Sequence, residues 1–150
     1  MKFLKIIAWV ALIALIVIQF FPVDKNESYT TLETDFMMVN KVPLDIENQL
    51  KVSCYDCHSN NTAYPWYSKI QPAGWFLENH IKEGKAELNF NEWSNYSDRR
   101  KKSKLRSIIK QVESGEMPMN SYTLMHQRAI LDSLATEKVL HYMSKIILEN

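Results

Sequence analysis

Two cysteines and a histidine form the first group of residues in this sequence that could carry out chemistry. They stand together as Cys54-Tyr55-Asp56-Cys57-His58, and the chain has no other cysteine. Cys-x-x-Cys-His is the attachment pattern of a c-type haem, whose porphyrin bonds to two thiols and whose iron binds the imidazole. If the segment is helical, offsets of three and four residues place these side chains on one face. The motif therefore predicts covalently attached haem c, bound through Cys54, Cys57 and His58, with His58 as an iron ligand.

Three other roles are open to a Cys-x-x-Cys pair. A redox-active pair usually lies in a βαβ setting, and no such pattern surrounds Cys54. A structural zinc site needs four ligands, typically with a second paired motif that this sequence lacks. A disulfide is the simplest alternative for two cysteines in an oxidising compartment. The histidine that directly follows Cys57 favours haem over all three.

A second iron ligand is expected from the segment Gly115-Glu116-Met117-Pro118-Met119, which lies between two predicted helices. A methionine beside a proline in such a loop is where a small cytochrome presents its sixth ligand, and thioether sulfur suits reduced iron. Met117 is the predicted ligand, because the following proline restricts the loop. Met119 is the second choice and His126 the third. If the sixth position is open, His80 and His126 are the candidate distal groups.

Aromatic side chains are concentrated between positions 64 and 96, which hold eight of the 17 in the chain. Large rings there can fill the core of a small domain. They can also form the dry wall that a porphyrin needs, and the two roles are compatible. The side chains predicted to line the haem pocket are Trp66, Tyr67, Trp75 and Trp93.

The elements that must position these residues are predicted to be helices. Residues 43–57 are expected to form a helix that ends at the haem motif, and residues 72–84 a second helix closed by Gly84. Residues 97–114 carry apolar side chains at helical spacing, and the final helix is expected to be capped by Asp132 or Ser133. The predicted fold is mainly α, with a small cytochrome c-like helical domain around one haem and one transmembrane helix before it.

Residues 1–21 are predicted to be that transmembrane anchor. Lys2 and Lys5 precede an apolar run, and a helix over residues 3–21 would measure about 28 Å, close to the roughly 30 Å hydrocarbon core of a bilayer. Positive charge before the run predicts an inner-membrane, single-pass protein with its domain on the periplasmic side. A cleaved signal peptide is the alternative, but no A-x-A-like cleavage pattern follows the run. Residues 22–42 would then be a polar tether and residues 43–150 the haem-binding domain.

A net charge of +1 argues against nucleic-acid binding, which needs a strongly basic surface. One local basic cluster does occur, with six cations between Arg99 and Arg106. A solvated helix face is the simplest interpretation of such a cluster. Contact with an acidic redox partner or with anionic lipid are the alternatives.

Several segments between residues 50 and 126 resemble the bacterial haem-binding domain family of small monohaem proteins. The order of segments is also similar to that of class I cytochromes c. Gly74 and Lys85 depart from the family pattern, in which serine and arginine are expected. The resemblance implies haem binding and electron transfer, and it names no substrate. It rests on the haem motif with Ser59-Asn60, Tyr64-Pro65-Trp66-Tyr67-Ser68, His80 with Gly84, Leu88-Asn89-Phe90 with Trp93, Gly115-Glu116-Met117-Pro118, and Ser121-Tyr122-Thr123-Leu124 with His126.

The predicted function is therefore a membrane-tethered monohaem c-type cytochrome that passes electrons between periplasmic or membrane redox partners, and is not an enzyme. Histidine and methionine together would leave no open position on the iron and would raise its potential relative to two histidines. The alternative function is a haem-based sensor, or a peroxide- or gas-binding protein with an open or displaceable sixth ligand. A more distant alternative is a scaffold in which haem is structural.

Overall fold

The computed structural model describes residues 1–28, 30 and 32–149. Tyr29 and Thr31 of the predicted tether, and Asn150 at the end of the predicted haem-binding domain, lie outside the described residues. The described residues form helices and no β-strand. The mainly α class is confirmed, while the class I cytochrome c-like arrangement stays a prediction.

The described part of the chain has four long helices and four short ones. The α-helices of the described part are α1 (Lys2–Ile18), α2 (Phe36–Asn40), α3 (Leu44–Leu50), α4 (Asp56–His58), α5 (Ala73–Glu87), α6 (Asp98–Glu113), α7 (Asn120–Thr123) and α8 (Ser133–Glu149). A π-helical turn, Lys51–Tyr55, joins α3 to α4 without a break. Short 3-10 segments occupy Trp66–Lys69, Phe90–Asn95, which is kinked at Glu92, and Gln127–Ala129.

Side-chain caps fix the amino-terminal ends of the two long helices α6 and α8. Ser97 accepts a hydrogen bond from the Arg100 amide at the start of α6. Asp132 accepts one from the Ala135 amide at 2.8 Å, just before α8. Such oxygens satisfy the amides that the first helical turn leaves without a partner. The predicted starts of both helices are confirmed.

The core lies where α2, α3, α6 and α8 meet the 3-10 turn at Phe90–Asn95. The Phe36 ring packs against the rings of Phe90 and Trp93, with centroids 5.2 and 4.8 Å away. Leu105 of α6 and Met143 of α8 are fully buried beside them. Phe36 comes from the segment predicted as a tether, so part of that segment packs in the core. The boundaries at 22–42 and 43–150 stay a prediction.

No helix in the part of the chain that the structure describes is long and apolar enough to cross a membrane. Helix α1 ends at Ile18, and its 17 residues would measure about 25 Å, short of the roughly 30 Å hydrocarbon core. Just beyond it, Gln19 exchanges two hydrogen bonds with the backbone of Gln71, at 2.9 and 3.0 Å. The Trp75 indole also donates to the Phe21 carbonyl at 2.9 Å. The predicted transmembrane helix, and the single-pass inner-membrane location that depended on it, are wrong.

Leu105 offers a direct test of the core. Its side chain is 1% exposed, so Leu105→Ala should lower the free energy of unfolding by about 2–5 kcal/mol through lost burial and the cavity left behind. Leu148→Ala is the matched control, because that leucine is 87% exposed. Urea denaturation followed by circular dichroism measures both. Equal effects of the two substitutions would contradict this description of the core.

Candidate functional site

The three residues of the Cys-x-x-Cys-His motif line one cavity. Cys54 belongs to the π-helical turn, and Cys57 and His58 belong to α4. All three border a cavity of about 240 Å³ between the motif, α5, α6 and the loop after α6. The wall of this cavity is mostly apolar, as a porphyrin requires.

The imidazole of His58 is fixed by two backbone carbonyls, one near the end of α5 and one just after it. Its Nδ1 lies 2.8 Å from the Gly84 oxygen and 3.1 Å from the Leu88 oxygen. Carbonyl oxygens only accept, so Nδ1 carries the hydrogen and Nε2 keeps its lone pair. Burial lowers the pKa of His58 below its usual value near 6.5, against the opposing effect of these two hydrogen bonds. Neutral imidazole with a free Nε2 is the form that binds a metal ion.

Close approach of α5 to the motif explains how those carbonyls reach His58. A Cβ atom on Gly84 would lie 2.8 Å from the backbone oxygen of Cys57, closer than packed atoms allow. Glycine at this position lets the two helices touch. The sequence predicted that this helix ends at Gly84, but α5 continues to Glu87. The glycine that looked like a helix end is a contact point between helices.

The two thiols are free and partly buried at the cavity. Burial, and secondarily the charge of Cys57, raise the pKa of Cys54 to about 12. Burial, and secondarily the charge of Asp56, raise the pKa of Cys57 to about 11. Both groups are therefore protonated at neutral pH. Among the residues described, no group of three or more His, Cys, Asp or Glu side chains is placed to hold a metal ion, as a zinc site would need.

Both candidate methionines line the same cavity as the motif. The Met117 amide donates to the Gln111 carbonyl at 3.1 Å, which ties the loop to α6. The Met119 carbonyl accepts from the amides of Tyr122 and Thr123 at 3.0 Å and so begins α7. Met117 and Met119 thus both stay candidates for the sixth ligand.

The candidate distal histidines are placed differently from each other. His80 borders the cavity from α5, the helix that also fixes His58. His126 is not among the lining residues, and its Nδ1 lies 3.0 Å from the Tyr122 carbonyl. A polar edge completes the cavity, where Lys104 and Glu87 form an ion pair at 3.6 Å.

The four aromatic residues predicted to surround the haem lie outside the lining of this cavity. Trp66 is 70% exposed, and Trp93 is buried in the hydrophobic core instead. Tyr67 packs edge-on against His126, and Trp75 bonds to the N-terminal segment. The aromatic residues that line the cavity are Phe90 and Tyr122.

The buried side chain of Asp35 holds the motif in place through hydrogen bonds to its neighbours. Asp35 accepts hydrogen bonds from the Tyr55 hydroxyl at 3.1 Å and from the Asn91 side chain at 2.7 Å. The Tyr55 ring stacks on the cavity residue Phe90, with centroids 4.9 Å apart and planes within 2°. Asn91 in turn accepts from the Asn60 amide at 2.6 Å, just past the motif. Sequence reasoning missed Asp35, because nothing in its spacing links it to the motif twenty residues later.

The residues present fit a haem. The apolar cavity brings together a neutral imidazole with a free Nε2, two thiols and two thioether sulfurs. The haem-binding domain family matches residues 13–145. The chain belongs to the haem-binding domain family. As a member it binds haem, and the expectation drawn from its sequence motifs is confirmed to that extent. No curated protein and no solved structure matches this haem-binding domain.

Substitution of Gly84 tests the contact that positions His58. Replacing a glycine inside a helix by alanine normally raises the free energy of unfolding of the protein, by up to about 1 kcal/mol. Here the new Cβ meets the Cys57 backbone, so Gly84→Ala should instead lower the free energy of unfolding by about 1–3 kcal/mol. Asn79→Ala, on the exposed face of α5, is the control. Urea denaturation measures whether the free energy of unfolding falls or rises. A rise for Gly84→Ala would exclude the close approach of Gly84 to the Cys57 backbone.

Proposed function

We propose that this haem-binding domain is a monohaem c-type cytochrome that carries electrons and is not an enzyme. The observation that supports this best is the convergence of Cys54, Cys57 and His58 with the Met117–Met119 loop on one cavity. One set of residues could attach the group and bind its iron from one side. The loop could complete its ligation.

Covalent attachment is supported by where the thiols lie relative to the imidazole. Cys54 and Cys57 border the cavity that His58 borders, and neither is in a disulfide. A thiol that reaches a porphyrin vinyl group forms a thioether by adding its S–H across the double bond, without an external oxidant. The free thiols of this chain are therefore available for haem c formation.

Electron transfer is supported by ligands from two different parts of the chain. His58 is held by α5, and Met117 is held by α6 through the Gln111 carbonyl. When bound, haem would supply a one-electron couple at its iron. Two protein ligands would leave that iron no open position, and a soft thioether would favour its reduced state. Such a site exchanges electrons rather than binding a substrate.

A basic surface on α6 suits an acidic redox partner. Lys101 pairs with Asp98, Lys104 pairs with Glu87, and the Arg100 guanidinium lies 4.6 Å from the Tyr96 ring centroid. Within the described residues, the remaining cations of the cluster have no ionic partner: Arg99, Lys102 and Arg106. Unpaired cations of this kind attract an acidic surface and speed encounter with it.

The cysteines provide the test of covalent attachment. Haem of the wild-type protein should stay with the polypeptide in acid-acetone, and its pyridine haemochrome spectrum should be that of two thioethers. Cys54→Ala or Cys57→Ala should retain at most one thioether, and the spectrum should shift to that of haem with one unreacted vinyl group. Complete extraction of haem from the wild-type protein would show that the attachment is not covalent.

The methionines provide the test of ligation. The oxidised wild-type protein should show the weak charge-transfer band of methionine-ligated ferric haem. Met117→Ala should abolish this band and lower the reduction potential, whereas Met119→Ala should preserve it. Loss of the band only in Met119→Ala would move the assignment to that residue. Ready binding of carbon monoxide by the wild-type protein would instead favour the sensor or gas-binding alternative.

A further inference from the structure

A tyrosine and an aspartate join the two sides of the haem cavity. Asp56 lies inside the motif, between Cys54 and Cys57, and Tyr122 lies in α7, three residues after Met119. The Tyr122 hydroxyl donates to the Asp56 carboxylate at 2.6 Å. The same hydroxyl also lies 3.3 Å from the Val52 carbonyl, so it connects the methionine loop to the segment that would carry the haem at two points.

The Asp56 side of this contact is fixed independently of Tyr122. The other carboxylate oxygen of Asp56 accepts from the Ala63 amide at 2.9 Å. The Asp56 backbone oxygen accepts from the Thr62 hydroxyl at 2.6 Å. The acceptor therefore has a defined position whether or not the tyrosine bonds to it.

The Tyr122 side is fixed as well. Its ring stacks on His126, with centroids 4.2 Å apart and planes at 14°. Its backbone amide donates to the Met119 carbonyl at 3.0 Å, so the ring is coupled to the loop through the first turn of α7. The loop is thus attached to α6 near Met117 at one end, and to Asp56 through Tyr122 at the other.

We propose that Tyr122 is a positioning residue, which through its hydrogen bond to Asp56 holds the methionine loop against the haem and sets how readily methionine leaves the iron. This inference rests on the proposed ligation by methionine. Without the hydroxyl, the far end of the loop would be held to the motif segment, among the described residues, only through the more distant Ala129, whose carbonyl accepts from the Ser53 hydroxyl at 2.9 Å, and it would move away from the motif at a lower cost. A charge-assisted hydrogen bond is strong enough to matter for this equilibrium.

Tyr122→Phe removes the hydroxyl and keeps the ring, and competition with imidazole measures the result. Imidazole displaces methionine from ferric haem, and its apparent affinity should rise about tenfold in the variant, as expected for loss of one charge-assisted hydrogen bond. Tyr142→Phe is the matched control. It loses a hydroxyl that bonds to the Asn40 carbonyl at 3.2 Å, outside the lining of the cavity, so imidazole affinity should not change.

A double-mutant cycle assigns the effect to the pair. Asp56→Ala should raise imidazole affinity as Tyr122→Phe does, and the double variant should resemble Tyr122→Phe, because that variant already lacks the bond to Asp56 as well as the longer contact with the Val52 carbonyl. Additive effects would overturn the pairing. A wild-type methionine band with unchanged imidazole affinity in Tyr122→Phe would overturn this inference alone. Absence of the band in the wild-type protein would reject methionine ligation, and the role of Tyr122 with it.

Discussion

The candidate site depends on one pair of contacts. The Nδ1 atom of His58 lies 2.8 Å from the Gly84 oxygen and 3.1 Å from the Leu88 oxygen. Gly84 lies in the last turn of α5 and Leu88 directly follows that helix, so α5 must approach the motif very closely. That approach is possible because position 84 has no side chain. The result is a neutral imidazole with one orientation and one free nitrogen, as metal binding requires.

The opposite wall of the cavity depends on weaker and more local constraints. Its methionines lie in a loop held by a Gln111 carbonyl, by the first turn of α7 and by the Tyr122–Asp56 contact. A short segment of this kind can shift with little loss of buried area, whereas His58 cannot. The two walls thus differ in how their candidate ligands are held, His58 by the close contact of α5 and the methionines by hydrogen bonds of a short loop.

Local patterns in the sequence predicted the parts of this structure that depend on local chemistry. The motif, the starts of α6 and α8, and the family segments could be read directly, because spacing and capping act over a few residues. Contacts between distant segments could not. Nothing in the sequence distinguishes Gly84 as a helix contact from Gly84 as a helix end, or places Trp93 in the core while Phe90 and Tyr122 border the cavity. The apolar run at the amino terminus was misleading for a similar reason, since its helix ends where Gln19 meets Gln71.

The π-helical turn Lys51–Tyr55 has a consequence for how chains of this kind can vary. A π turn holds one residue more than an α-helical turn, so it is equivalent to a single insertion within a continuous helix. It lies between Leu50, which is buried in the core, and Cys57, which faces the cavity. A chain with one residue fewer in this turn could close it to an ordinary α-helix and keep Leu50 and Cys57 in place. Because Cys54 itself lies in this turn, the motif keeps its spacing only if the residue is lost from positions 51–53, whereas a loss within α3 would rotate the thiols relative to the core.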